Sequence, residues 1–168
     1  MTPKSRLHIP RPPARPGDTP DFSYLALSEA GAVARPDFTT PARDIENLAH
    51  ELVRVLDDDG VARGEWAPEL SPEQLNEALR LMVLTRQFDD RMQRVQRQGK
   101  ISFYMMSLGE EAVSIGQGMA LESGDMLFPS YRNQGLFILR NTSRVDLMCQ
   151  CLSNTRDMCK GRQMPIMY

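Results

Sequence analysis

The 168 residues (19.0 kDa) are 41% hydrophobic and 25% charged, enough material for one ordinary soluble domain. A chain of this size removes roughly 70% of its unfolded surface from water, so neither disulfides nor metal are required for a core. The net charge of −2 and pI near 5.7 argue against a dedicated nucleic-acid protein, and no stretch reaches the about 18 uncharged apolar residues of a spanning helix.

Eight of the 12 prolines fall at or before Pro41. Proline fixes φ and removes a donor, so residues 1–43 are expected to form an extended or irregular arm, with Phe22, Tyr24 and Phe38 as anchors if it lies across another surface. The N-terminus carries charges but no apolar run behind them, which does not match a secretory signal and makes the cytoplasm the expected location. From residue 44 a folded domain is expected. Ile45, Leu48, Ala49 and Leu52 recur at helical spacing, and Val53, Val55, the run Asp57-Asp58-Asp59-Gly60 and Val61 suggest a hairpin. Three adjacent carboxylates before a glycine are read as a solvated turn rather than a metal site.

Ser71-Pro72-Glu73-Gln74 places a hydroxyl at N-cap, proline at N1 and Gln at N3, so a helix is predicted over 72–98 with Gly99 just past its end. Leu75, Leu79, Met82, Phe88, Met92 and Val95 are its expected apolar stripe. The basic residues of its last third, from Arg86 to Lys100, suit the helix dipole and read as a solvated face.

Residues 101–105 are aromatic and β-branched enough for a strand or extended segment entering a buried place. Gly109-Glu110-Glu111 is expected to open a helix with Ala112, Ile115, Gly116, Met119 and Ala120 on its packed side. Residues 125–128 suggest a brief strand ended by Pro129, followed by a polar loop over 130–135. Further helices are expected over 136–140 and from Ser143, the latter with Val145, Met148, Cys151 and Leu152 inward; Lys160-Gly161-Arg162 forms a basic loop.

Cys149, Cys151 and Cys159 form a poor disulfide framework and are expected to be reduced. Neither a Ser/His/Asp set, a Gly-rich phosphate loop nor a metal-ligand cluster is legible, so no catalytic or metal residue is assigned. The side chains do suit an anion: Arg132 stands beside Tyr131 in a loop at an expected strand end, and a guanidinium fork with a phenol can hold a phosphate. A structural ion pair for Arg132 is the plainer alternative.

Four blocks occur in order: Arg97-Gln98-Gly99-Lys100-Ile101-Ser102-Phe103-Tyr104, Gly109-Glu110-Glu111-Ala112, Tyr131-Arg132-Asn133-Gln134-Gly135 and Gly161-Arg162-Gln163-Met164-Pro165. Together they resemble the alpha subunits of thiamine diphosphate-dependent branched-chain 2-oxo acid (2-oxoisovalerate) dehydrogenases, the decarboxylating components of multienzyme complexes. The proline-rich arm and the hairpin resemble the bacterial form. The resemblance implies an α/β thiamine diphosphate-binding fold, a parallel sheet flanked by helices, which in this chain is incomplete and mostly helical. It implies that Tyr131 and Arg132 touch the cofactor's diphosphate, and that Phe103 and Tyr104 stand near the substrate channel, with core packing as their alternative role.

Gly-Asp-Gly followed further on by Asn, which in such subunits holds the magnesium, does not occur, so the Mg2+ ligands are expected in a C-terminal part beyond Tyr168. The chain is therefore expected to be an N-terminal piece, inactive alone and unstable through uncovered apolar surface, to which its ten methionines from Met82 to Met167 contribute. The implied partners are a beta subunit in an alpha2/beta2 heterotetramer, the lipoyl acyltransferase component and a branched-chain 2-oxo acid. Nucleic acid and membrane are not expected partners. A different class of function, a Met-rich helical module gripping amphipathic helices, rests on the methionines and the basic stretch alone.

Overall fold

The computed structural model describes residues 17–19 and 28–167, which fall into two compact units, Met1–Glu69 and Leu70–Tyr168. The expected anchors Phe22 and Tyr24 lie outside the described residues; Phe38 is fully exposed.

In the first unit the helical spacing after residue 44 yields two short 3-10 segments, Ala42–Asp44 and Glu46–His50. The hairpin is present in minimal form, as one antiparallel bridge between Leu56 and Ala62. Its acidic run is a turn: Asp57 accepts from Asp59 N (3.0 Å) and Val61 N (2.8 Å) and pairs with Arg63 at 3.0 Å, so that carboxylate is already engaged. Gly31 and Gly64 lie back to back, both at positive φ; a Cβ on Gly64 would stand 2.5 Å from Gly31 Cα, so neither position admits a side chain.

The second unit holds four helices: α1 (Pro72–Arg97), α2 (Glu111–Met119), α3 (Gln134–Leu139) and α4 (Arg144–Cys151). The capping box forms as read, with Ser71 Oγ accepting from Gln74 N and Gln74 Oε1 accepting from Ser71 N. Gly99 at φ 70° closes α1. Helices α1, α2 and α3 pack on one another around Leu81, Phe88, Met92, Ile115 and Ile138.

The faces they bury differ from those expected. On α1 the buried line is Leu81, Thr85, Phe88, Asp89 and Met92, while Leu75 and Leu79 are more than half exposed. On α2 it is Glu111, Ser114, Ile115 and Gly118, with Ala112, Gly116 and Ala120 exposed. On α4 it is Leu147, Cys149, Gln150 and Cys151, with Val145 and Leu152 outward. Every buried line carries polar members, and each is hydrogen-bonded. Thr85 Oγ1 donates to the Leu81 carbonyl (2.8 Å), and the Gln150 carboxamide donates to the Met164 carbonyl and accepts from Ile166 N, both at 2.7 Å.

Neither expected strand forms. Residues 101–105 bend at 101–102 and carry no regular structure, but they do enter the core as expected, with Ile101 and Tyr104 buried; no neighbouring segment among the described residues offers a ladder. Residues 125–128 are irregular, with Met126 and Phe128 exposed. The flanking helices of the expected α/β architecture are thus seen without a sheet among the described residues. The three cysteines are free thiols, as expected, and no described helix is long and apolar enough to cross a membrane.

Candidate functional site

Tyr131 and Arg132 are the two central residues of a closed turn over 130–133. Asn133 N donates to the Ser130 carbonyl (3.1 Å), while Asn133 Oδ1 accepts from Ser130 N (2.7 Å) and Ser130 Oγ (2.9 Å). Ser130 and Asn133 thereby fix the turn by two routes, leaving the side chains between them outside it. The Arg132 guanidinium lies over the Tyr131 ring at 5.3 Å from its centroid. Its nearest carboxylate is Glu110, 3.9 Å from Nε, with both side chains nearly half exposed. An ion pair at that distance in solvent contributes little and engages few of the five guanidinium donors, so Arg132 retains the capacity to fork onto an anion. The pair expected as the plainer alternative is present, but it does not consume the residue.

The turn is seated on α2 and α3 by close approach. Gly135, in the first turn of α3, has no room for a side chain: a Cβ there would stand 2.8 Å from Ser114 Cβ on α2. Asn133 Nδ2 reaches Ser114 Oγ at 3.5 Å. At the start of α2, Glu111 is buried and its carboxylate spans two elements, accepting from Arg86 Nε on α1 and from Gly109 N (3.0 Å). The Arg86 hydrogen bond is the main reason its pKa falls below the ordinary glutamate value.

Phe103 and Tyr104 both pack against the core of the second unit, the alternative role read for them from the sequence. Tyr104 is buried in the core, edge-on to Phe88 with ring centroids 6.4 Å apart, and Phe103 packs half-buried against the same cluster. The Tyr104 hydroxyl donates to Asp89 Oδ1 (2.6 Å), and the other oxygen of Asp89 accepts from Ser107 N (2.7 Å) and Ser107 Oγ (2.9 Å). Burial pushes the Asp89 carboxyl above its ordinary pKa against the lowering effect of these bonds, and burial beside Asp89 drives the Tyr104 phenol strongly upward. Gln134, first residue of α3, donates from Nε2 to the Met105 carbonyl (2.8 Å) and to Tyr104 Oη (3.4 Å), while its Oε1 is buried without a partner. Two surface clefts, of about 410 Å³ beside Leu81 and Met119 and about 320 Å³ beside Met82 and Arg86, include none of Phe103, Tyr104, Tyr131 or Arg132.

Asp89, Ser107, Glu111 and Gln134 escaped the sequence reading as interior polar residues. The available signal was register: Asp89 lies on the line Leu81, Thr85, Phe88, Met92, where an acid is out of place unless donors surround it. No group of three or more potential metal ligands is found among the described residues.

Comparison with known proteins matches residues 79–168 to the dehydrogenase E1 component family, and residues 3–43 to the 2-oxoisovalerate dehydrogenase E1 alpha subunit N-terminal family. The chain belongs to the dehydrogenase E1 component family. Within it, 163 residues, 97% of this chain, are 55% identical to the 2-oxoisovalerate dehydrogenase subunit alpha of Pseudomonas aeruginosa, covering 40% of that protein. The mitochondrial 2-oxoisovalerate dehydrogenase subunit alpha of Homo sapiens is 36% identical over 98% of this chain and 36% of its own length. That of Dictyostelium discoideum is 38% identical over 74% of this chain and 29% of its own. The chain thus spans about two-fifths or less of the E1 relatives it matches.

Proposed function

We propose that this chain is the N-terminal portion of the alpha subunit of a thiamine diphosphate-dependent, branched-chain 2-oxo acid dehydrogenase. In the assembled enzyme it helps hold the cofactor's diphosphate through Tyr131 and Arg132. The observation that carries the reading is the closed turn over 130–133, which presents a guanidinium with spare donors next to a phenol. Bound cofactor supplies the decarboxylating chemistry, and this chain supplies charge and position. Arg132 forks onto phosphate oxygens, and Tyr131 both supports the guanidinium through its ring face and offers its hydroxyl.

The described residues hold no group that would ligate Mg2+, so a magnesium ion accompanying the cofactor would take its ligands from elsewhere in the assembled enzyme. The acyl product passes to a lipoyl acyltransferase, and a beta subunit completes the site in an alpha2/beta2 assembly. Of the two aromatic residues assigned to the substrate channel, Phe103 is the better placed, because the Tyr104 hydroxyl is engaged with Asp89. The free thiols accord with a reducing compartment such as the cytoplasm.

The test is Arg132→Ala in the assembled enzyme, with thiamine diphosphate titrated by calorimetry. Charge-assisted hydrogen bonds contribute about 1.5–3 kcal/mol each, so the variant should bind the cofactor roughly ten- to a hundredfold more weakly. Unchanged affinity removes the assignment.

A further inference from the structure

Asp89 is fully buried at the middle of α1, and all three of its hydrogen-bond donors, Tyr104 Oη, Ser107 N and Ser107 Oγ, are neutral. Arg86, which feels the charge of Asp89, is itself hydrogen-bonded to Glu111. A carboxylate dehydrated without a paired cation is a poor source of stability, because an apolar side chain of the same volume would avoid the desolvation cost. What the carboxylate supplies is direction. Its two oxygens fix the Tyr104 proton on one side and the Ser107 backbone and hydroxyl on the other.

Because the Tyr104 proton is committed to Asp89, the phenol oxygen faces Gln134 as an acceptor. The Gln134 amide must present Nε2 to it, since its other partner is the Met105 carbonyl, which only accepts. The opposite end of the same amide, Oε1, has no partner, so Nε2 alone anchors this side chain. Gln134 is two residues from Arg132, and Asn133 between them closes the turn. Hydrogen bonds therefore run from Asp89 on α1 through Tyr104 to the Gln134 side chain, and the backbone joins Gln134 directly to Asn133, the closing residue of the turn that carries Tyr131 and Arg132.

From this geometry we infer that Asp89 is a positioning residue, which acts through Tyr104 and Gln134 to hold the Tyr131–Arg132 turn in the arrangement that receives the cofactor's diphosphate. The inference rests on the function proposed above, but its structural half can be measured separately.

The experiment uses the assembled enzyme and two variants, Tyr104→Phe and Asp89→Asn. Tyr104→Phe keeps the ring in the core and removes the hydroxyl that joins Asp89 to Gln134, so it serves if Asp89→Asn fails to fold. Two quantities are read: thiamine diphosphate affinity, and hydrogen exchange of the amides of residues 131–134 without cofactor. Of the two hydrogen bonds the Tyr104 hydroxyl makes, the one that reaches the turn is the neutral bond from Gln134, and its loss should weaken the cofactor roughly three- to tenfold and speed exchange in the turn by a similar factor. In an Arg132→Ala background, Tyr104→Phe should cost clearly less cofactor affinity than it does with Arg132 present, because only Tyr131 is then left on the turn to be positioned.

An equal loss of affinity in both backgrounds, or unaltered exchange at residues 131–134, overturns the positioning role and leaves the proposed function standing. Faster exchange with an Arg132→Ala affinity equal to wild type has the opposite meaning: Asp89 positions the turn, but the turn does not hold the cofactor.

Discussion

At the residue scale, two of the buried carboxylates, Glu111 and Asp89, respond to pH in opposite directions. Glu111 accepts from Arg86 and Gly109, and its folded pKa lies below the ordinary value of 4.5. Its stabilising contribution is therefore complete above the unfolded pKa and is lost as the pH falls through the lower, folded one. Asp89 has a raised folded pKa, so its ionised form opposes folding and that penalty is relieved on acidification. Glu111→Gln should lower the thermal midpoint by several degrees at pH 7, with the gap to wild type closing as the pH falls below 4.5. A gap that stayed constant down to pH 3 would mean that Glu111 contributes through packing rather than charge. The same two side chains show why hydropathy misled: a buried acid looks like a surface residue until its donors are found, and those donors lie 15 to 18 residues away for Asp89 and 25 away for Glu111.

At the scale of elements, the site depends on how closely α2 and α3 approach. Gly135 sits against Ser114 Cβ, an atom one bond from the backbone that cannot swing aside. Gly118 meets only the far ends of Leu136 and Leu139. Alanine at the two positions should therefore differ. Gly135→Ala should destabilise the chain by about 1–3 kcal/mol and displace the turn, while Gly118→Ala should be closer to neutral as the leucines shift. Urea denaturation of both variants checks this, and equal losses would show that α3 moves as freely as a side chain.

Helix starts and stops were legible in the residues: Ser71 with Gln74 forms the capping box, Gly99 ends α1, and Ser143 caps α4. Those signals are local and complete within a few residues. Helix faces were legible only in part: Phe88, Met92, Ile115 and Cys151 are buried as expected, and Met82, Val95, Met119 and Met148 pack against the core, whereas Leu75, Leu79, Ala112, Gly116, Ala120, Val145 and Leu152 are exposed. The inward lines of α1, α2 and α4 each include residues such as Asp89, Glu111, Ser114 and Gln150, whose burial is made tolerable by partners from other elements. The expected strands at 101–105 and 125–128 depend in the same way on neighbours that the described residues do not supply. The location of Tyr131 and Arg132 on a polar turn was readable from sequence. The Asp89 relay beneath it was not, because it joins three separate segments.

At the scale of the whole molecule, the two compact units hold themselves together by different means. In Met1–Glu69 the described residues bury a single hydrophobic side chain, Val33, and order comes from the glycine crossing, the Asp57 turn and the stacking of Arg35 over Trp66. All the other buried hydrophobic side chains belong to Leu70–Tyr168. Apolar burial at roughly 25 cal/mol per Å² is the principal opponent of chain entropy, so the described residues of the first unit, which bury almost no apolar surface, open locally at small cost. Native-state hydrogen exchange should therefore find the bonded amides of Gly31, Asp57 and Arg63 exchanging through local openings insensitive to low urea. The amides of α1 from Leu81 to Met92 should exchange slowest, with a urea dependence approaching that of global unfolding. Equal protection in both units would mean that apolar burial does not set local stability here and that the turn and glycine-crossing bonds of the first unit suffice to close it.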